Sequence, residues 1–220
     1  MVEKNFVSDA GTKKLYIYKA GIRIGSEEYK VTESESGISI TSYSAYSHVG
    51  NDVRQKTLLL MDKDYDTLKL EVECESRSFY QRYTFTYKNS EAHIWVDQES
   101  RIPNWTGKKL DKTIIWDKKC QVIPSTDSFF SLLQTCKKYS FDSKGKQEVA
   151  CGIVPKVIFT EDYLGEDIVE VKDQVFGCKR FQLTSSLEGT TADIWIDESH
   201  DIFKILIGDK MITIQSFELY

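Results

Sequence analysis

The chain has 220 residues and a formal net charge of −5, with 29 Lys and Arg against 34 Asp and Glu. No run of five or six like charges occurs, so the sequence offers no electrostatic footprint for nucleic acid or an anionic membrane. Its longest apolar runs are about four residues, as at 58–61, far short of the roughly 20 that a membrane-spanning helix needs, so no integral membrane contact is expected. Fifty β-branched residues and 27 aromatics stand against six alanines, the bias of side chains that pack on pleated sheets.

A single, mainly β domain over 1–220 is the expectation, and its elements can be taken in order. The opening 14 residues lack the apolar stretch of a secretory signal; read as it stands the chain is cytoplasmic, and a removed leader would make it periplasmic or extracytoplasmic. Alternation of period two then predicts strands at 13–21, 25–33 and 38–46. In the stretch 64–76, Leu68, Leu70, Val72 and Cys74 fall on one face and Lys69, Glu71, Glu73 and Glu75 on the other, the signature of an antiparallel strand with one wet face. Further strands are predicted at 78–88, 92–97 and 113–122. After a break come 167–172, 178–185, 192–197, 203–208 and 210–219. Short connections such as 88–91 (KNSE), 187–190 (LEGT) and 207–210 (IGDK) are hairpin turns in composition, so consecutive strands should pair as a meander of about twelve. βαβ units, and with them a doubly wound nucleotide fold, are excluded.

The break is a helix. Phe129, Leu132, Leu133 and Cys136 recur at i, i+3, i+4 and i+7, Ser125 to Asp127 can cap the start, and Lys137 and Lys138 suit the last turn. An amphipathic helix over 126–139 is predicted to pack on one large curved antiparallel sheet, a half-barrel or nearly closed barrel. It joins two halves, approximately 13–122 and 142–219, that carry a repeat. In 91–102 (EAHIWVDQESRI) and 191–202 (TADIWIDESHDI), Ala92, Ile94, Trp95, Asp97 and Ile102 recur at an offset of one hundred. The economical reading is a strand that buries Ile on one face and Trp on the other and ends in an acidic turn; two equivalent ligand contacts through Trp95 and Trp195 are the alternative.

Chemistry-bearing motifs are sparse. Asp62, Asp64, Asp66 and Glu73 have the spacing of a calcium loop, but Thr67 stands where that loop needs Gly and the following residues alternate as a strand. An acidic turn with no metal is expected. His48, His93 and His200 form no ligand pair, and an exposed strand face accounts for both His93 and its repeat equivalent Asp193. Five cysteines without C-x-x-C spacing argue against zinc and against a disulfide framework; they are read as small hydrophobes, a Cys120–Cys151 disulfide being the alternative. No nucleophile elbow and no Gly-rich loop opening a helix is present, so no catalytic residue and no cofactor is assigned.

The opening LYIYKAGIRIGSEEYKV (15–31), the helix segment IPSTDSFFSLLQTC (123–136) and the ending ADIWIDESHDIFKILIGDKMITIQSFEL (192–219) together resemble an uncharacterised family of bacterial β-rich, often exported proteins. That resemblance implies a curved antiparallel sheet around a helix, similar to the lipoprotein-carrier half-barrel, whose members hold acyl chains in the concavity. It implies no catalytic residues. The functional expectation is therefore a non-enzymatic protein that binds a hydrophobic small molecule or acyl chain, lined by Trp95, Trp195, Trp116, Tyr83, Phe85, Phe129, Leu132 and Leu133. The alternatives are an interaction or scaffold protein whose core is filled by its own side chains and, more remotely, a hydrolase using scattered carboxylates.

Overall fold

The computed structural model describes residues 8–9, 12–48, 50–64, 66–104, 106–115, 121–123, 146–151, 157–171, 174–185, 191–198, 202–207 and 211–216. They are mainly β, paired antiparallel throughout, with no helix among the described residues. The predicted helix 126–139, with Phe129, Leu132 and Leu133, lies outside them, as does Trp116. In chain order the strands are β1 (Ser8–Asp9), β2 (Lys13–Lys19), β3 (Ile22–Ser34), β4 (Gly37–His48), β5 (Asn51–Met61), β6 (Thr67–Glu75), β7 (Phe79–Lys88) and β8 (Glu91–Ser100). There follow β9 (Lys108–Ile115), β10 (Gln121–Ile123), β11 (Lys146–Cys151), β12 (Val157–Val171), β13 (Gln174–Ser185), β14 (Thr191–Ile196), β15 (Ile202–Ile207) and β16 (Met211–Ser216).

The chain divides into two compact units, an N-terminal one of Met1–Thr12 and Glu28–Pro124 and a C-terminal one of Lys13–Glu27 and Ser125–Tyr220. In the N-terminal unit β4 to β9 form an unbroken meander, each strand paired with the next, and β1 adds a short pairing to β3. The turn between β7 and β8 has Asn89 and Ser90 at φ 54° and 63°, the two positive φ values of a tight hairpin turn whose twist suits the flanking strands. Gly37, opening β4, has φ 142°, and a Cβ there would sit 2.1 Å from the Met61 carbonyl oxygen; only glycine fits.

Register sorts the inner face of this meander into rows. One row runs Ile40, Leu59, Leu70, Phe85, Ile94 across five strands, and four of the five residues are completely enclosed. The next row is Ser42, Thr57, Val72, Tyr83, Val96, and the one beyond it Ser44, Gln55, Cys74, Gln81, Gln98. Alternation along each strand places these side chains on one face. Their chemistry changes along the strand direction, from wholly apolar to wholly uncharged polar or thiol.

In the C-terminal unit β11 to β16 pair in sequence, and β2 follows next in the order by pairing with β16, Ile17 opposite Thr213. The first long strand thus joins the last, a long-range pairing that alternation alone does not specify. β14 is buried on both faces, with Ala192, Ile194 and Ile196 on one side and Asp193 and Trp195 on the other. Val169, Cys178, Trp195 and Phe203 form a core on the second face, with Phe176 and Leu206 packed against it.

Candidate functional site

The repeated phrase occupies the same place in two hairpins. Phe85 pairs with Ile94 and Phe181 with Ile194, so each copy puts an aromatic–isoleucine pair into a core and turns its tryptophan to the opposite face. Beyond that the copies diverge. Trp95 is part-exposed, with the Arg82 guanidinium 5.9 Å from its ring centre. Trp195 is only 4% exposed, lies between Arg180 and Lys204 at 4.9 and 4.5 Å, and donates its indole N–H to Asp167 Oδ2 at 2.8 Å.

The surroundings of Trp195 form a connected network. Arg180 donates to Asp193 and stands 4.0 Å from Asp167, and Gln182 Nε2 donates to Asp193 Oδ1 at 2.9 Å. The indole bond, together with the Ile168 amide and the neighbouring cations, holds the Asp167 carboxyl below the usual aspartate range. Asp193 is therefore not the exposed strand residue its repeat position suggested: it is 7% exposed, and its charge is balanced by Arg180. His93, its equivalent, is exposed and contacts Asp111 at 2.6 Å. The sequence signal for the difference was the basic residue: Arg180 lies directly across from Trp195, where Thr84 faces Trp95.

Of the residues expected to line a ligand cavity, Tyr83 and Phe85 share the inner face of the N-terminal unit and Trp95 lies on its reverse. Trp195 belongs to the C-terminal unit. The aromatic set is thus divided among separate surfaces. What sequence reasoning missed is the polar band beside Tyr83 on the inner face, where Ser42, Ser44, Gln55 and Thr57 are all buried and Gln55 Nε2 donates to Thr57 Oγ1 at 3.3 Å. Ser42 and Ser44 fall within the predicted strand 38–46, while Gln55 and Thr57 fall on β5, over which no alternating strand was predicted.

Asp62, Asp64 and Asp66 bring their carboxylate oxygens within 4.8 Å of one another. Asp62 Oδ1 accepts the amides of Asp64 and Asp66, each at 3.0 Å, so it serves as the acceptor of an acidic turn between β5 and β6. Cys74 and Cys178 are free and buried, and burial raises both thiols to about 11, well away from the thiolate needed for redox or metal chemistry at neutral pH.

An open groove of about 590 Å3 lies along β3, β4 and β5 in the N-terminal unit, and its lining includes Glu28, Lys30, Tyr43 and Lys56 together with Ser42 and Thr57 of the inner face. Tyr43 stands opposite Lys56, and Lys56 opposite Glu73 on the next strand. No protein-family model, curated protein or solved structure matches the chain.

Proposed function

We propose that the protein is a non-catalytic binder of an apolar or lipid-like ligand, held against the inner face of the N-terminal unit. The observation that carries this reading is the graded face. An apolar row from Ile40 to Ile94 runs beside rows ending in Ser44, Gln55, Gln81 and Gln98, so an amphiphile could lay its chain on the first and its uncharged polar groups on the second. The curved half-barrel and the helix at 126–139 expected from the sequence belong to the same reading.

A 16-carbon chain would gain roughly 11 kcal/mol at about 0.8 kcal/mol per methylene. Association costs of at least about 4 kcal/mol leave a Kd on the order of 10 μM. The test is titration with a fluorescent fatty acid over a series of chain lengths. The expected results are saturation, an affinity rising about fourfold per methylene, and weaker binding in Gln55→Leu.

A second reading is favoured by a specific observation. Leu59, Leu70 and Phe85 are fully enclosed by the chain itself, as they would be in a scaffold protein whose core is self-filled. Failure to saturate by about 100 μM, ten times the Kd worked above, would leave that reading standing. For the hydrolase alternative, Asp62, Asp64 and Asp66, a carboxylate cluster among the described residues, sit on one turn and not across a cleft as paired catalytic carboxylates would.

A further inference from the structure

We infer that the open face of the β12–β13 hairpin is a surface for self-association, on which a second copy of this chain packs about a twofold axis running along the strands. The pairing of β13 with β14 ends at Lys179 opposite Ile196, so the stretch 168–171 with 174–177 runs on beyond β14. Register sorts one face of this stretch and its base into three rows: Glu166 beside Lys179, Ile168 beside Gly177, and Glu170 beside Val175. All six residues are exposed, Ile168 at 68% and Val175 at 67%. The reverse face carries Val169 and Cys178 into the core around Trp195. Further along β13 and β14 the open face itself closes, with Phe181, Ile194 and Ile196 buried. Ile168 and Val175 are diagonal neighbours within reach of each other, so they form one apolar patch and not the singly scattered residues of an ordinary surface.

The face is complementary to itself, and that identifies its occupant. Two such faces brought together with the axis along the strands exchange β12 for β13 in every row. Ile168 of each copy then stands over Gly177 of the other, where a Cβ would meet nothing within 4 Å and a branched side chain has room. Glu166 stands over Lys179 of the second copy, acid over base, and symmetry makes this contact twice. Neither group has an ionic partner among the described residues, so each is available to the other copy. An axis across the strands would instead stack Glu166 on Glu170, and like charges disfavour it. Six residues are well short of the roughly 20–30 a side of a stable interface. The dimer is therefore weak, with a dissociation constant on the order of 0.1–1 mM.

The experiment is sedimentation equilibrium of the full, ligand-free chain from about 10 μM to about 1 mM, a range that reaches the expected constant. The expected result is a weight-average mass that rises with concentration from the 25.4 kDa of one chain towards twice that value. Ile168→Asp should abolish the rise. Glu166→Lys and Lys179→Glu should each weaken association by about fivefold, and the two together should restore it. Gly177→Val fills the hollow opposite Ile168 without a clash in its own chain, so it should keep the fold and lose the dimer. Circular dichroism confirms that each variant stays folded. A mass that stays at one chain throughout would overturn the surface, as would association untouched by Ile168→Asp. A double charge variant no better than the singles, or tighter association in Gly177→Val, would overturn the twofold packing. None of these results depends on the fatty-acid titration, which reads the N-terminal unit.

Discussion

The two tryptophans of the repeated phrase should differ sharply in what they contribute to stability. Trp195 is 4% exposed, and an indole buries on the order of 200 Å2, so at about 25 cal/mol per Å2 its enclosure contributes roughly 5 kcal/mol. The N–H bond to Asp167 at 2.8 Å adds about 1 kcal/mol. The cations at 4.5 and 4.9 Å add about 0.5–1 kcal/mol each. These contributions overlap, and the unfolded chain already hides part of the indole. Truncation to alanine should therefore fall in the range of about 3–5 kcal/mol usual for buried aromatics.

Trp95 is part-exposed, with one cation at 5.9 Å, and Trp95→Ala should cost about 1 kcal/mol. Urea unfolding followed by far-UV circular dichroism checks both, with Trp195→Phe as a control expected to lose about half the effect because ring burial is kept and the indole bond is not. An equal or greater loss in Trp95→Ala, at unchanged m, would refute the assignment of Trp195 to a core and Trp95 to a solvated face.

Gly37→Ala should destabilise by more than about 2 kcal/mol, because the added carbon would overlap the Met61 carbonyl at a φ of 142°; a midpoint change within error would contradict the turn geometry. The Asp167 carboxyl is held below its ordinary value in the folded state. Its contribution is thus present above an unfolded pKa near 3.9 and is lost as pH falls through the lower folded value. Accordingly, the stability advantage of the native protein over Asp167→Asn should be full at neutral pH and disappear on acidification; an advantage that persisted through pH 2 would argue against the indole bond as its source. With thiols raised to about 11, Cys74 and Cys178 should stay unmodified by iodoacetamide at pH 8 in the native protein and react in urea, as read by peptide mass spectrometry.

Much of the fold was legible because strand alternation reports directly which side chains go inward. The stretch Leu68 to Glu75 reads as alternate apolar and charged residues, and the structure buries Leu70, Val72 and Cys74 while leaving Glu73 and Glu75 exposed. Turn chemistry was equally local: Asn89 and Ser90 take up the positive φ values that such residues tolerate. Partner choice was not local. That Leu15 lies opposite Gln215 and Ile17 opposite Thr213 depends on which distant edge is available, and no periodicity within either strand encodes it. Bulges were also unreadable: the register slips between Tyr163 and Gly165, letting β12 begin ten residues before the stretch whose alternation marked it.

The site was harder to read, for a reason visible in the repeat itself. Similarity between 91–97 and 191–197 fixes where Ile and Trp point, since that follows from a period of two, and it leaves open what stands over the tryptophan, since that comes from other strands. Arg180, Asp167 and Lys204 come from β13, β12 and β15 and convert an exposed face into a closed one. In the N-terminal copy the residue opposite Trp95 on the next strand is Asp111 in place of Lys204, and β9 is largely exposed. One phrase therefore yields a core residue in one setting and a surface residue in the other, and its recurrence is evidence for a shared hairpin geometry rather than for a shared ligand contact. The residues that distinguish the faces of the N-terminal unit are instead the ones a motif search passes over: Ser44 and Gln55 on the inner side, Tyr43 and Lys56 on the outer, ordinary types whose meaning appears only once register sets them in rows.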